Sequence, residues 1–311
     1  MPSEDKPPVG RQSAAPAFDT AFDPQHGAAV PVADRIVRIT APNAGPMTFH
    51  GTNTYLVGDD RIVVVDPGPA NAKHLACVQA AIASRPVDAV LLTHAHLDHS
   101  GLARTLAGST GAPLVAYAGD RSRRSDDNVR LDTAFDHGFR PDIALNDGDR
   151  LNLAGFTIEG IHTPGHTADH MAFAVHDTGL VFSGDHVMAW ATSVVAPPDG
   201  RMSDYMRSLE VMLARQDRRY FPGHGGPVEN PPAFVRAIRT HRVMRENAIL
   251  AKVRAGVATI PDLVTEIYRS TDRRLHGAAA LSVMAHLESL VERGLVSTQG
   301  PLELTSRIQP V

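Results

Sequence analysis

"THAHLDHSG", residues 93–101, places three histidines and an aspartate within six positions, 94–99. The apolar "DAVLL" before it predicts a strand, and "GLARTLAGS" after it predicts a helix. A solvated loop has no need of such density, and a packed core would not hold it without partners. Imidazole and carboxylate grouped in this way are metal-ligand chemistry. His94 and His96 are two apart, so in an extended loop they point the same way. Asp98 and His99 come as the chain turns into the helix and can face a second position. Zn²⁺ takes about four ligands at roughly 2.0–2.2 Å, so two metals need more than this stretch supplies.

Three later segments supply more. "TPGHT" (163–167) carries His166 in a glycine-containing turn, "SGDHV" (183–187) carries Asp185 after an apolar run, and "PGHGG" (222–226) carries His224 after another. Each repeats one layout, a β run, a small residue and a ligand type.

The rest of the chain reads as strands mixed with helices. "RIVRI", "NTYLVG", "RIVVVDPG" and "PLVAY" are β-like, as are 143–165 and 171–185, while Ala70–Ser84, Ser203–Arg215 and Pro232–Arg254 are helical. "NDGD" and "HDTG" carry hairpin-turn chemistry. This mixture predicts an α/β sandwich. Residues 1–28, polar and proline-rich, read as a flexible N-terminal tail. Residues 29–243 read as one domain, and 244–311 as a second, with the boundary inside a connecting helix. The second holds three helices, an apolar stripe at Leu281, Met284, Leu287 and Val291, and a short β-ribbon. That pattern predicts a winged-helix-like α+β module.

Composition narrows the function. A net charge of −4 over 311 residues gives no whole-protein attraction to nucleic acid or anionic membrane. Cys77 is the single cysteine, so no intramolecular disulfide forms. No apolar run approaches the roughly 20 residues of a membrane span. The N-terminus lacks the basic-then-apolar layout of a secretory signal, and a cytoplasmic protein is expected.

"THAHLDHSG", "TPGHT", "SGDHV" and "PGHGG", in this order, resemble the metallo-β-lactamase superfamily over about residues 35–240. The resemblance implies an αββα sandwich with the metals at one edge, between two sheets. It implies that His94, His96 and His166 hold one metal, that Asp98, His99 and His224 hold another, and that Asp185 bridges them. Two Zn²⁺ are the expected cofactors, with Mn²⁺ or Fe²⁺ accepted by the same donors. Such a centre hydrolyses an ester, thioester, lactone or phosphodiester bond with a metal-bridging hydroxide, and Asp98 would orient that hydroxide and take part in proton transfer. Class B lactamases carry cysteine where this chain has Asp185, and flavodiiron proteins carry glutamate where it has His96. Both departures argue against those activities. "GTNTYLV" (51–57), "VVDPG" (64–68), "GHTADHMAF" (165–173) and the C-terminal module look closest to the β-lactamase-like 2 group, whose mitochondrial members are single-strand endoribonucleases. Asp66 is expected to fix the tautomer of a ligand imidazole. His170 and His186 are candidates for proton donation or substrate contact, or equally for hydrogen bonding beside the site in support of the ligands, and His50 for the pocket wall.

Two partners are weighed, a small-molecule substrate and single-stranded RNA. RNA needs a basic or aromatic track. Arg121, Arg123, Arg124 and Arg130 form the one basic cluster, and Asp126 and Asp127 dilute it. A third reading makes the winged-helix-like module a nucleic-acid binder. Its "GAAALSVMAHLESLVER" offers small and acidic residues and a single arginine, Arg293, which disfavours DNA. No membrane partner is expected. A homodimer is allowed, since the sequence does not set the oligomeric state.

Overall fold

The computed structural model describes residues 16–119, 135–136, 138–269 and 272–311. Among these, twelve strands form two sheets. The first runs in chain order: β1 (Val30–Ala33), β2 (Ile36–Thr40), β3 (Asn53–Val57), β4 (Ile62–Val65), β5 (Val87–Leu91), β6 (Leu114–Tyr117) and β7 (Ile143–Leu145). The second holds β8 (Arg150–Leu153), β9 (Phe156–His162), β10 (Met171–Val175), β11 (Leu180–Gly184) and β12 (Arg219–Pro222), in the order β12-β11-β10-β9-β8.

The strands are antiparallel from β1 to β4 and parallel from β4 to β7. The parallel part needs crossovers. Helix α1 (Ala72–Ile82) makes one, and the single turn α2 (Leu97–Ser100) with α3 (Ala103–Thr110) makes the next. Strands buried on both faces read as continuous apolar runs, and "IVVV" of β4 is buried throughout. Its alternate side chains serve two layers. Ile62 and Val64 face α1 and α3, while Val63 and Val65 meet Phe173, Phe182 and Phe221 of the second sheet. On the far side of that sheet, α4 (Met202–Leu213) and the first part of α5 (Pro231–Arg254) close a third apolar layer around Tyr205, Leu209, Val235 and Ile238. The αββα sandwich expected from the sequence is therefore the observed architecture.

"HDTG" forms the β10–β11 hairpin, with Asp177 at φ 60° and Gly179 at φ 71°. "NDGD" does not make a hairpin. Asn146 and Asp149 bond each other as turn residues do, but β7 pairs with β6 and β8 with β9, so this turn carries the chain between sheets.

The C-terminal module contains the end of α5, α6 (Ile260–Ile267), α7 (His276–Glu292) and a ribbon of β13 (Val296–Thr298) and β14 (Ile308–Pro310). It has its own core of Ile249, Leu263, Val283, Leu287 and Leu290. The boundary drawn at 243/244 falls inside α5, which is unbroken. Ala285 of α7 packs into the sandwich layer of α4 and α5. Residues 16–28, assigned by sequence to the tail, lie against the sandwich. Phe18 meets Phe234 edge-on, Phe22 stacks on Phe49, and the Asp19 amide donates to the Ala189 carbonyl at 2.9 Å. No helix among the described residues is long and apolar enough to cross a membrane.

Phe173 is fully buried where the two sheets meet. Phe173→Ala should therefore lower the unfolding free energy of the metal-free protein by about 3–5 kcal/mol, read from urea denaturation. A loss below about 1 kcal/mol would mean the sheets do not close on this ring.

Candidate metal centre

The site lies at one edge of the sandwich, where β4, β5, β11 and β12 all end. Each strand delivers a polar residue as its ladder stops: Asp66 after β4, Thr93 to His99 after β5, Asp185 after β11 and His224 after β12. His166 comes from the turn between β9 and β10.

Seven side chains converge. His94 Nε2 lies 2.9 Å from His96 Nδ1, which lies 3.1 Å from His166 Nε2. On the other side, Asp98 Oδ2 is 3.3 Å from both His99 Nε2 and His224 Nε2. Asp185 stands between the groups. Its Oδ2 is 3.6 Å from His166 Nε2 and 3.4 Å from His224 Nε2, and its Oδ1 is 3.5 Å from His99 Nε2. Three potential metal-binding groups result: His94, His96 and His166; Asp98, His99 and His224; and His94, His99 and Asp185. Within each, the ligand atoms lie within 4.8 Å of one another.

These residues fit a pair of divalent cations. Four donors in a tetrahedron around Zn²⁺ stand about 3.3 Å apart, close to the spacings above. Asp98 Oδ1 and Asp185 Oδ1 are buried without a hydrogen-bond partner, an arrangement that is costly unless a cation answers it. Gly223 keeps the space open. A Cβ there would stand 2.5 Å from His99 Cε1 and 2.6 Å from Asp185 Oδ1. The cluster is suited to a dinuclear metal centre.

The outer ring nitrogens are held individually. His99 Nδ1 donates to Asp66 Oδ2 at 2.9 Å. Thr93 Oγ1 donates to the same oxygen at 2.8 Å, and His94 Nδ1 lies 3.0 Å from that hydroxyl. The other oxygen of Asp66 accepts from the Thr93 amide at 2.8 Å. One carboxylate thus orients two imidazoles, one directly and one through Thr93, and presents Nε2 of both inward. Asp66 does this from φ 49°, a left-handed conformation that aspartate tolerates better than most residues. His166 Nδ1 donates to the Val194 carbonyl at 2.6 Å, and His224 Nδ1 is 3.3 Å from the Gly51 carbonyl.

His170 is fully buried. Its Nδ1 pairs with Thr163 Oγ1 at 2.8 Å, and its Nε2 accepts from the Asp185 amide at 3.1 Å. It sets the backbone of Asp185 and does not face solvent. His186 is also fully buried, with its ring 4.9 Å from that of Tyr205. Neither side chain is exposed to solvent. His50 packs its ring 4.1 Å from Phe49.

Several contributors carry no sequence signal as ligands. Thr52 Oγ1 donates to Asp98 Oδ2 at 3.1 Å. Asn53 Nδ2 donates to the Pro222 carbonyl at 3.1 Å and the Gly225 carbonyl at 2.9 Å, bracketing His224. "GTNTY" marks both residues as a polar interruption of a strand. Tyr55, on the same strand, also donates to the Pro222 carbonyl, at 2.8 Å.

Electrostatics divide the site in two. Burial, then the neighbouring imidazoles, hold His94 well below its ordinary value, and burial with His166 brings His96 down to about 3. On the other side, burial opposes charge, but Asp185 and Asp98 outweigh it and raise His224 to about 9. His99 is raised for the same reason, by Asp98, Asp185 and Asp66. Burial would raise Asp98 and Asp185, yet His99 and His224 keep both well below the usual carboxylate range. His94, His99, Asp185 and His224 are buried, whereas His96, Asp98 and His166 are partly exposed. The open side of the cluster is therefore His96–Asp98–His166.

Asp66→Asn keeps the left-handed turn but sets an amide against two donors. It should weaken divalent-metal affinity by roughly 10-fold to 100-fold, measured by competition with a chromophoric chelator. Unchanged affinity would remove Asp66 from the metal centre. Gly223→Ala should likewise reduce bound metal in elemental analysis of protein that is otherwise folded by circular dichroism.

Residues 47–224 match the family model of the metallo-beta-lactamase superfamily, and 259–301 match that of the beta-lactamase associated winged helix domain. A beta-lactamase-like protein 2 homolog of Drosophila melanogaster is 33% identical over 83% of this chain and 88% of its own length. An atrochrysone carboxyl ACP thioesterase of Paecilomyces divaricatus is 30% identical over 75% of this chain and 71% of that protein. The crystal structure of a beta-lactamase domain protein from Burkholderia ambifaria superposes with a TM-score of 0.78 at 21% identity, covering 94% of this chain and 97% of that one. With a histidine and aspartate cluster at the sandwich edge and a winged-helix domain after the sandwich in the chain, the chain belongs to the metallo-beta-lactamase superfamily and is similar to its beta-lactamase-like protein 2 members.

Proposed function

We propose that this superfamily hydrolase is a dinuclear zinc enzyme that cleaves a small ester, thioester or lactone, with a thioester the favoured substrate. The observation that carries the reading is the pair of three-residue groups with Asp185 between them. His94, His96 and His166 would hold one ion, Asp98, His99 and His224 the other, and Asp185 both. Two divalent cations so placed polarise a carbonyl or phosphoryl oxygen and bring the pKa of a bound water from about 15.7 to about 7.

The chain's own residues supply the rest. Asp98 turns Oδ2 toward His99, His224 and Thr52, and keeps Oδ1 uncommitted. Asp98 belongs to the partly exposed side of the cluster, where its carboxylate would orient the attacking water and take up its proton. Asp66 and Thr93 keep the imidazoles of His94 and His99 in one tautomer, so no reorganisation is needed when substrate enters. The Paecilomyces relative's being an atrochrysone carboxyl ACP thioesterase supports a thioester over the other bonds.

The rival reading is cleavage of single-stranded RNA. The arginines at 121, 123, 124 and 130 that would form its strand path lie outside the described residues. Between residues 276 and 292 the α7 sequence has no lysine or arginine, and the Arg293 side chain pairs with Glu246. Neither fact favours a nucleic-acid partner.

Zinc-loaded wild type should turn over acyl-thioesters in a panel of thioesters, lactones and labelled single-stranded RNA. Asp98→Ala should lose at least about 100-fold of that rate. RNA cleavage that disappears in the variant, with the thioesters untouched, would overturn the thioester reading.

A further inference from the structure

The turn that carries His166 is held by the segment that joins β11 to α4. Its imidazole Nδ1 donates to the Val194 carbonyl at 2.6 Å, in the segment 191–201. The far end of that segment returns to the same turn. The Arg201 amide donates to the Gly165 carbonyl at 3.0 Å, and the Ala168 amide donates to Asp199 Oδ1 at 3.0 Å. A Cβ on Gly200 would stand 2.9 Å from the His166 carbonyl oxygen. His166 therefore sits where segment 191–201 puts it.

Both ends of that segment are gripped by helices of the C-terminal half. Beside Val194, the Ser193 carbonyl accepts from the guanidinium of Arg242 on α5. Arg242 is 4% exposed, and its guanidinium lies over the ring of Tyr205, 5.2 Å from the centroid. No carboxylate pairs with it among the described residues. A buried guanidinium without a counter-ion is expensive, and an apolar side chain of similar length would fill the space at less cost. What it supplies that an apolar chain cannot is a donor to residue 193. At the other end, Arg201 pairs with Glu292, in the last turn of α7.

We infer that the C-terminal helices act as the holder of His166, with Arg242 and Arg201 as positioning residues for the metal position that His94, His96 and His166 surround. This rests on the reading of His166 as a ligand. Through Glu292 of α7, which pairs with Arg201, it gives the winged-helix domain a task inside the hydrolase site that requires no nucleic acid.

The test is a titration of metal-free, full-length protein with Co²⁺, followed by its d–d absorbance, on wild type, Arg242→Met, Arg242→Lys and Glu292→Gln. Wild type should take up two equivalents. Arg242→Met should weaken one of them by roughly 10-fold to 100-fold and spare the other. Arg242→Lys, which keeps a donor for the Ser193 carbonyl, should recover most of the loss, and Glu292→Gln should weaken the same equivalent by less. Wild-type binding of both equivalents in Arg242→Met overturns the inference. So does equal weakening of both that tracks a fall in the melting temperature of the metal-free protein without rescue by lysine. Should Arg242→Met fail to fold, Glu292→Gln decides, because its ion pair is partly exposed. If wild type binds no Co²⁺, the dinuclear reading falls first, and this one with it.

Discussion

Two carboxylates and five imidazoles share one edge of the sandwich, and the other contacts of the site exist to keep them apart and aimed. Left to themselves, Asp98 and Asp185 would each seek water or a proton. Both are held ionised by His99 and His224. A low-dielectric pocket that keeps its acids charged and its histidines at His94 and His96 neutral is prepared for cations. The cost of that pocket is spread over rigid elements. The strands end together, so the ligands arrive from backbones already fixed by ladder hydrogen bonds, and the loops between them can stay short.

Asp66 shows how far one residue's position governs the rest. It sits at the end of a fully buried strand, where the chain must turn sharply toward Gly68 and α1. From there its two oxygens reach the amide and hydroxyl of Thr93 and the ring of His99. The register of β4 against β5 is thus also the register of the metal centre. A slip by one residue would turn Asp66 to the other face of the sheet and leave both imidazoles free to rotate.

The ligand types themselves were legible because they are chemically loud: histidine and aspartate at the ends of apolar runs, next to glycine. An α/β sandwich was legible from strand and helix periodicity, and its αββα order came from the family resemblance that those motifs carry. What holds the ligands was quieter. Thr93 reads as one more β-branched residue of a strand, and its hydroxyl acquires meaning only because a residue 27 positions earlier lies beside it. Val194 and Gly51 act through backbone oxygens, so their side chains carry no trace of the task. "NDGD" shows a related limit. Turn chemistry specifies that the chain reverses, but not which sheet receives the next strand, since that is decided by pairing partners far away. His170 and His186 adjoin Asp185 and His166 in sequence or space, and both are fully buried, with His170 accepting from the Asp185 amide.

Helix α5 runs from Pro231 to Arg254 without a break, and Arg242 lies midway along it. An unbroken helix transmits rotation. Each residue inserted or deleted before Arg242 turns everything after it by about 100°. The sandwich and the winged-helix domain are therefore geared rather than tethered. This shaft tolerates length changes only in steps that restore its phase. The joint between two folds that could each be catalogued separately becomes the stretch of the gene where insertions are least forgivable.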